Sequence, residues 1–174
     1  MPAEEIPPLR VAGCVSDSIV DGPGMRYVVF VQGCPHRCPG CHNPQTHDPA
    51  GGRDADTDWV LEKAAENPLL SGITLSGGEP FAQCEPMAAL ARGAKEMGLH
   101  VMAYSGYTFE QLLDMPEARP LLESVDVLVD GPFLKDKRSL ALNFRGSSNQ
   151  RILDVPASLQ KGEPVVLDWD VNPA

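Results

Sequence analysis

The chain is predicted to fold as an α/β domain around a mostly parallel sheet, and three observations carry that prediction. Short apolar runs alternate with segments of helical period through the middle of the chain, the pattern of βαβ units joined by right-handed crossovers. The clearest run, Arg26 to Gln32, is nearly continuous in valine and other apolar residues, as expected of a strand covered on both faces. The strings CPHRCPGC, SGGEP, YSGYT and VDGPF each follow such a run. They therefore gather at the carboxyl ends of strands, where open α/β sheets bind ligands.

Taken in order, the first eight residues hold three prolines and paired glutamates and read as a disordered start, with order beginning near Leu9. The strand Arg26 to Gln32 delivers the chain into the cysteine string. A Gly- and Asp-rich connection from Pro49 to Asp58 precedes a helix opening at Asp56 or Thr57 and closing before Asn67. Its apolar stripe is Val60, Leu61, Ala64 and Ala65. Ile73 to Leu75 is a strand. After SGGEP comes a helix with Pro86 in its first turn and Met87, Leu90, Ala91, Ala94 and Met97 at helical spacing, stopped by Gly98. Leu99 to Ala103 is a strand, Thr108 and Gln111 form a capping box for a short helix, and Val125 to Val129 is the next strand. Beyond Asp130 the pattern weakens to short apolar pieces at Arg151 to Leu153 and Val165 to Leu167. One domain over 9–168 and an exposed tail over 169–174 are expected.

The 174 residues can bury a core without disulfide staples, and five cysteines cannot all pair. No secretory leader, membrane-spanning run or sorting motif is visible, so a reducing cytoplasm is expected. A net charge of -10 and a pI near 4.7 exclude the basic stripe of a nucleic-acid binder. They suit a cationic ligand, a basic partner surface or simple solubility.

Cys34, Cys38 and Cys41 place three thiols within eight residues. Thiolates so spaced select zinc, copper(I) or an iron–sulfur cluster. Three protein ligands, unlike the four that close a structural zinc or an ordinary electron-transfer cluster, leave a coordination position for a substrate.

A Cys-x3-Cys-x2-Cys loop followed some forty residues later by GGEP, each after a strand, resembles the radical S-adenosylmethionine superfamily. The resemblance implies a partial (βα) barrel. It also implies that Cys34, Cys38 and Cys41 hold three irons of a [4Fe-4S] cluster, while the fourth iron takes S-adenosylmethionine. Gly77, Gly78 and Glu79 match the motif that receives the cofactor's ammonium group, and Tyr104, Ser105 and Thr108 fall where the superfamily contacts its ribose or methionine part. DGPGMRYVVFVQGCPHRCPGCHNPQTH is similar to the activating enzymes of glycyl-radical proteins. YSGYT, LVDGPF and RGSSNQRILD narrow the likeness to those acting on anaerobic ribonucleoside-triphosphate reductase. The implied reaction is reductive cleavage of the cofactor, fed by a low-potential donor such as flavodoxin or ferredoxin, and removal of a hydrogen atom from one glycine of the partner. Asp21, Gly22, Pro23 and Gly24, with Arg145, Asn149 and Arg151, are the expected contacts to the glycine-bearing segment or the cofactor.

Two other readings are weighed beside this one. Activation of another glycyl-radical enzyme, of the pyruvate formate-lyase type, lies in the same class. A non-catalytic zinc module built on the three cysteines and His47 would explain the thiols but not GGEP. Cys14 and Cys84 read as buried thiols, and His36, His42 and His47 as residues around the cysteine loop or on the surface. Asp130 either binds a cation or cofactor or caps its loop, and Trp59, Trp169, Met87 and Met97 read as packing residues.

Overall fold

In the computed structural model, residues 6–36, 38–41, 43–139 and 142–169 are described. Seven strands form one sheet: β1 (Leu9–Ser18), β2 (Arg26–Val31), β3 (Arg53–Ala55), β4 (Gly72–Gly77), β5 (His100–Tyr104), β6 (Val127–Asp130) and β7 (Arg151–Asp154). Their order is β3-β1-β2-β4-β5-β6-β7. Strands β2, β4, β5 and β6 are mutually parallel. Antiparallel β1 and β3 flank one side of that block and β7 the other. The sheet is thus open and mostly parallel, the α/β partial barrel expected.

Five helices accompany it: α1 (Thr57–Ala65), α2 (Cys84–Glu96), α3 (Phe109–Leu113), α4 (Arg119–Leu122) and α5 (Val155–Lys161). Alternation along each strand divides the two faces. Tyr27, Val29, Val31, Ile73, Leu75, Val101, Ala103 and Leu128 share a core with Val60 and Ala64 of α1 and with Met87, Leu90, Ala91 and Ala94 of α2. Met102, Val127, Val129 and Ile152 form a second cluster, against which Tyr104, Phe144, Leu167 and Trp169 pack. Arg26, Thr74 and Glu79 are buried polar residues among these apolar ones. Among the described residues, no helix is long and apolar enough to cross a membrane.

Most predicted elements are present within a residue or two, including the Asp56 cap of α1 and the Thr108–Gln111 capping box of α3. Met97 departs from its predicted core position. It ends α2 as the C-cap residue and is 40% exposed, because the chain turns there into Gly98, whose φ is +79°. Ala65, in the last turn of α1, is likewise exposed. Trp59 is 40% exposed, with the Lys63 ammonium 5.6 Å from its ring centre. Residues Ile6–Pro8 are exposed and without regular structure, and the rest of the predicted disordered start lies outside the described residues.

Candidate active site

The parallel strands end on one rim, and the loops leaving them enclose a cavity of about 550 Å³. That is within the range of roughly 300–1,000 Å³ usual for small-molecule sites. Its walls include Cys34, Cys38 and Cys41 from the loop after β2, Gly77 and Gly78 at the end of β4, and Tyr104, Ser105 and Gly106 at the end of β5. Gly131 and Phe133 follow β6, and Phe144, Arg145, Gly146 and Gln150 come from the segment before β7. Val20 and Asp21 enter from the loop between β1 and β2.

The cysteine loop leaves β2 through Gly33, whose φ of +103° is one that side chains rarely adopt. Its ends are tied to the chain that follows: Gly33 N donates to Thr46 O at 2.6 Å and Cys34 N to His47 O at 3.2 Å. Gln32 fixes the same segment by donating to Gln45 O and Asp48 O. Within the loop, Cys41 N donates to Cys38 O and Asn43 N to Cys41 Sγ. The donor set fits a thiophilic cluster, with three thiols on one cavity and the other two cysteines in the packing around the main core. Among the described residues, however, no three His, Cys, Asp or Glu side chains are already drawn together to hold a metal ion. A loop with so few internal hydrogen bonds closes around its metal as it binds. His47 lines the cavity too, and its Nε2 is buried without a hydrogen-bond partner among the described residues.

The GGEP loop sits directly under the cysteine loop. Gly78 N donates to Val31 O and Glu79 N to Gly33 O, both at 2.8 Å, so the two strand ends are stitched together. A Cβ at Gly78 would collide with Gly33 O, and one at Gly77 with the backbone of Phe30 and Val31. Glycine is needed here for close approach of two backbones.

Glu79 is fully buried. Its carboxylate accepts from Phe81 N at 3.0 Å, Gly106 N at 2.8 Å and Ser105 Oγ at 2.9 and 3.0 Å, and it bonds His36 Nε2 at 2.5 Å. It is thereby engaged by its own chain and does not line the cavity as Gly77 and Gly78 do.

Of the other predicted contacts, Tyr104, Ser105, Asp21 and Arg145 border the cavity. Burial pushes the Tyr104 phenol above its usual range, with nearby Asp21 acting in the same direction. Thr108 lies outside the cavity wall and caps α3. Gly22, Pro23 and Gly24 are held behind it by Arg26, which is 1% exposed. The Arg26 guanidinium donates to Pro23 O at 2.9 Å, Thr74 Oγ1 at 2.7 Å and Ile73 O at 2.9 Å. Thr74 Oγ1 donates in turn to Asp21 O, so these bonds set where Asp21 faces the site. Burial lowers the Arg26 pKa to about 10.

Arg151 is turned away from the cavity, paired with Asp130 and Glu110. Asp130, 1% exposed, also accepts from Phe109 N at 2.7 Å, so it fixes the loop after β6 to the start of α3. Asn149 donates to Pro132 O at 2.8 Å. Gln150 accepts from Gly146 N and donates to Gly131 O, joining the last two wall segments. Arg26, Gln150 and the aromatic wall of Phe30, Phe133 and Phe144 were not singled out from the sequence. A cationic residue inside an apolar strand run was the available signal for the first.

Comparison with known proteins follows the same lines. The model of the family described as "4Fe-4S single cluster domain" matches residues 20–153. The anaerobic ribonucleoside-triphosphate reductase-activating protein of Vibrio cholerae is 33% identical over 142 residues, covering 77% of this chain and 90% of that protein. The protein of the same name from Escherichia coli K12 is 35% identical over 140 residues, 76% of this chain and 90% of that one. A pyruvate formate-lyase-activating enzyme from Clostridium pasteurianum is 39% identical over 113 residues, 60% of this chain and 48% of that enzyme. The chain belongs to the 4Fe-4S single cluster domain family and to the family of anaerobic ribonucleoside-triphosphate reductase-activating proteins.

Proposed function

We propose that the chain is a radical S-adenosylmethionine activase that installs a glycyl radical on an anaerobic ribonucleoside-triphosphate reductase. The observation that carries this reading is the single cavity bordered by three thiols and a Gly-Gly loop, in a chain whose relatives are named for activating that reductase. When bound, a [4Fe-4S] cluster and S-adenosylmethionine supply one-electron cleavage of a carbon–sulfur bond and a radical able to take hydrogen from glycine.

The residues' tasks follow from their chemistry. Cys34, Cys38 and Cys41, as thiolates, would hold three irons. Gly77 and Gly78, lacking side chains, admit the amino-acid end of the cofactor close to the backbone. Phe30, Phe133 and Phe144 exclude water from the reacting centre, and Asp21 and Arg145 supply charges at its border for a peptide backbone or the cofactor. The electron comes from a low-potential protein of the flavodoxin or ferredoxin type, and a loop of thiols suits a reducing cytoplasm.

The test is anaerobic incubation of the cluster-loaded chain with dithionite, S-adenosylmethionine and, separately, the reductase and pyruvate formate-lyase from the same organism. A glycyl electron paramagnetic resonance doublet on the reductase alone is expected. A doublet on the lyase alone would transfer the assignment to the second reading, and zinc without iron or sulfide in anaerobically purified protein would overturn both.

A further inference from the structure

We infer that His36 and Glu79 form a latch that seats the cysteine loop on the sheet, making His36 a positioning residue for the cluster. The inference rests on the reading of Cys34, Cys38 and Cys41 as cluster ligands.

A carboxylate offers about four acceptor sites. Those of Glu79 are taken by Phe81 N, Gly106 N, Ser105 Oγ and His36 Nε2. The first belongs to its own turn and the next two to the loop after β5. The fourth comes from the cysteine loop, two residues from both Cys34 and Cys38. One buried group thus joins three strand-end loops.

The seat is shaped as well as bonded. A Cβ on Gly106 would collide with the His36 ring, so the imidazole lies directly on that backbone. On its other side Tyr107 meets the ring edge-on, with centroids 4.4 Å apart. The His36 side chain is only 16% exposed although its loop has no regular secondary structure. Because the internal bonds of the loop are few, this seat determines where its thiols sit relative to Gly77 and Gly78. It also gives Glu79 a role other than receiving the cofactor's ammonium group, since no acceptor site of the carboxylate is left over.

Wild type, His36→Ala and His36→Gln are reconstituted anaerobically with iron and sulfide and challenged with EDTA, and loss of the cluster's visible absorbance is timed. Changes to groups that orient metal ligands typically cost about 10–100-fold in metal retention. His36→Ala is expected to lose its cluster faster by that factor, while His36→Gln, whose amide N–H can reach the same oxygen, holds it nearly as long as wild type. Equal retention in all three, or equal lability of both variants, overturns the latch. Should His36→Ala fail to fold by circular dichroism, Gly106→Ala displaces the ring without deleting it, and there normal retention overturns the proposal. A wild type that takes up no iron at all defeats the cluster reading itself; a loaded wild type with unaltered variants defeats the latch alone.

Discussion

Cys84 decides part of the protein's response to alkaline pH. Burial, with Glu117 and Glu79 nearby, pushes its thiol from 9.0 up to about 11. Between those values the unfolded chain releases a proton that the folded chain keeps, so the folded state holds more protons and stability falls as pH rises through this window. Tyr27 and Tyr104, both raised chiefly by burial, extend the loss to higher pH. Arg26, lowered to about 10, acts in the opposite sense: above that pH it is the unfolded chain that holds the extra proton. Cys84→Ala removes the first contribution. Its urea midpoint is expected to decline less than that of wild type between pH 9 and pH 11, and parallel declines would assign the effect to other groups. Arg26 makes a separate prediction. Arg26→Leu strands the acceptors Pro23 O and Ile73 O and the partner Thr74 Oγ1, at about 1–3 kcal/mol for a buried group left unsatisfied. A fall in stability of at least that size is expected by urea denaturation at pH 7, and an unchanged midpoint would show that the loop is held by other means.

At the scale of elements, the parts legible in the sequence are those whose signal is local. Helix α1 announces itself by Asp56 and its stripe, α2 by its period, and α3 by a capping box that is present bond for bond. Strands β3 and β7 were less legible because three or four residues at a sheet edge carry too little periodicity, and the partner that makes them strands is remote in sequence. The site divides the same way. Its loops could be found because each follows a strand, but the partners of Glu79 and Arg151 could not, since both depend on contacts across dozens of residues. Thr108 shows the consequence. The resemblance made it a cofactor contact, whereas its hydroxyl accepts from Gln111 N at 3.2 Å and its N–H donates to Gln111 Oε1 at 2.9 Å. Thr108→Ala should therefore lower stability by about 0.5–2 kcal/mol, the usual worth of an N-cap, with S-adenosylmethionine affinity unchanged by equilibrium dialysis. A weakened affinity at full stability would restore the cofactor role.

For the molecule as a whole, the sheet's second face is finished by residues from the end of the chain. Asp154 N donates to Val165 O and Leu167 N to Ile152 O, at 2.9 and 2.7 Å, so the segment before Trp169 pairs along β7. Trp169 O accepts from Asn143 Nδ2 at 2.7 Å, and the indole meets Phe144 edge-on at 5.7 Å. Phe144 is the one described residue other than glycine with a positive φ, +59°, an arrangement that costs free energy and persists only where surrounding contacts impose it. Since Phe144 also lines the cavity beside Arg145, the chain's end braces a wall of the site that lies far from it in sequence. An aromatic pair of this geometry contributes about 0.5–1.5 kcal/mol beyond the area it buries. Trp169→Ala should release Phe144 and weaken S-adenosylmethionine binding by about fivefold, the equivalent of roughly 1 kcal/mol. The three thiols lie elsewhere on the cavity, so iron and sulfide content should stay at the wild-type level. Cofactor affinity unchanged in the variant would mean that the wall is held by the sheet alone, while loss of iron together with affinity would mean that the chain's end supports the whole domain and not this wall in particular.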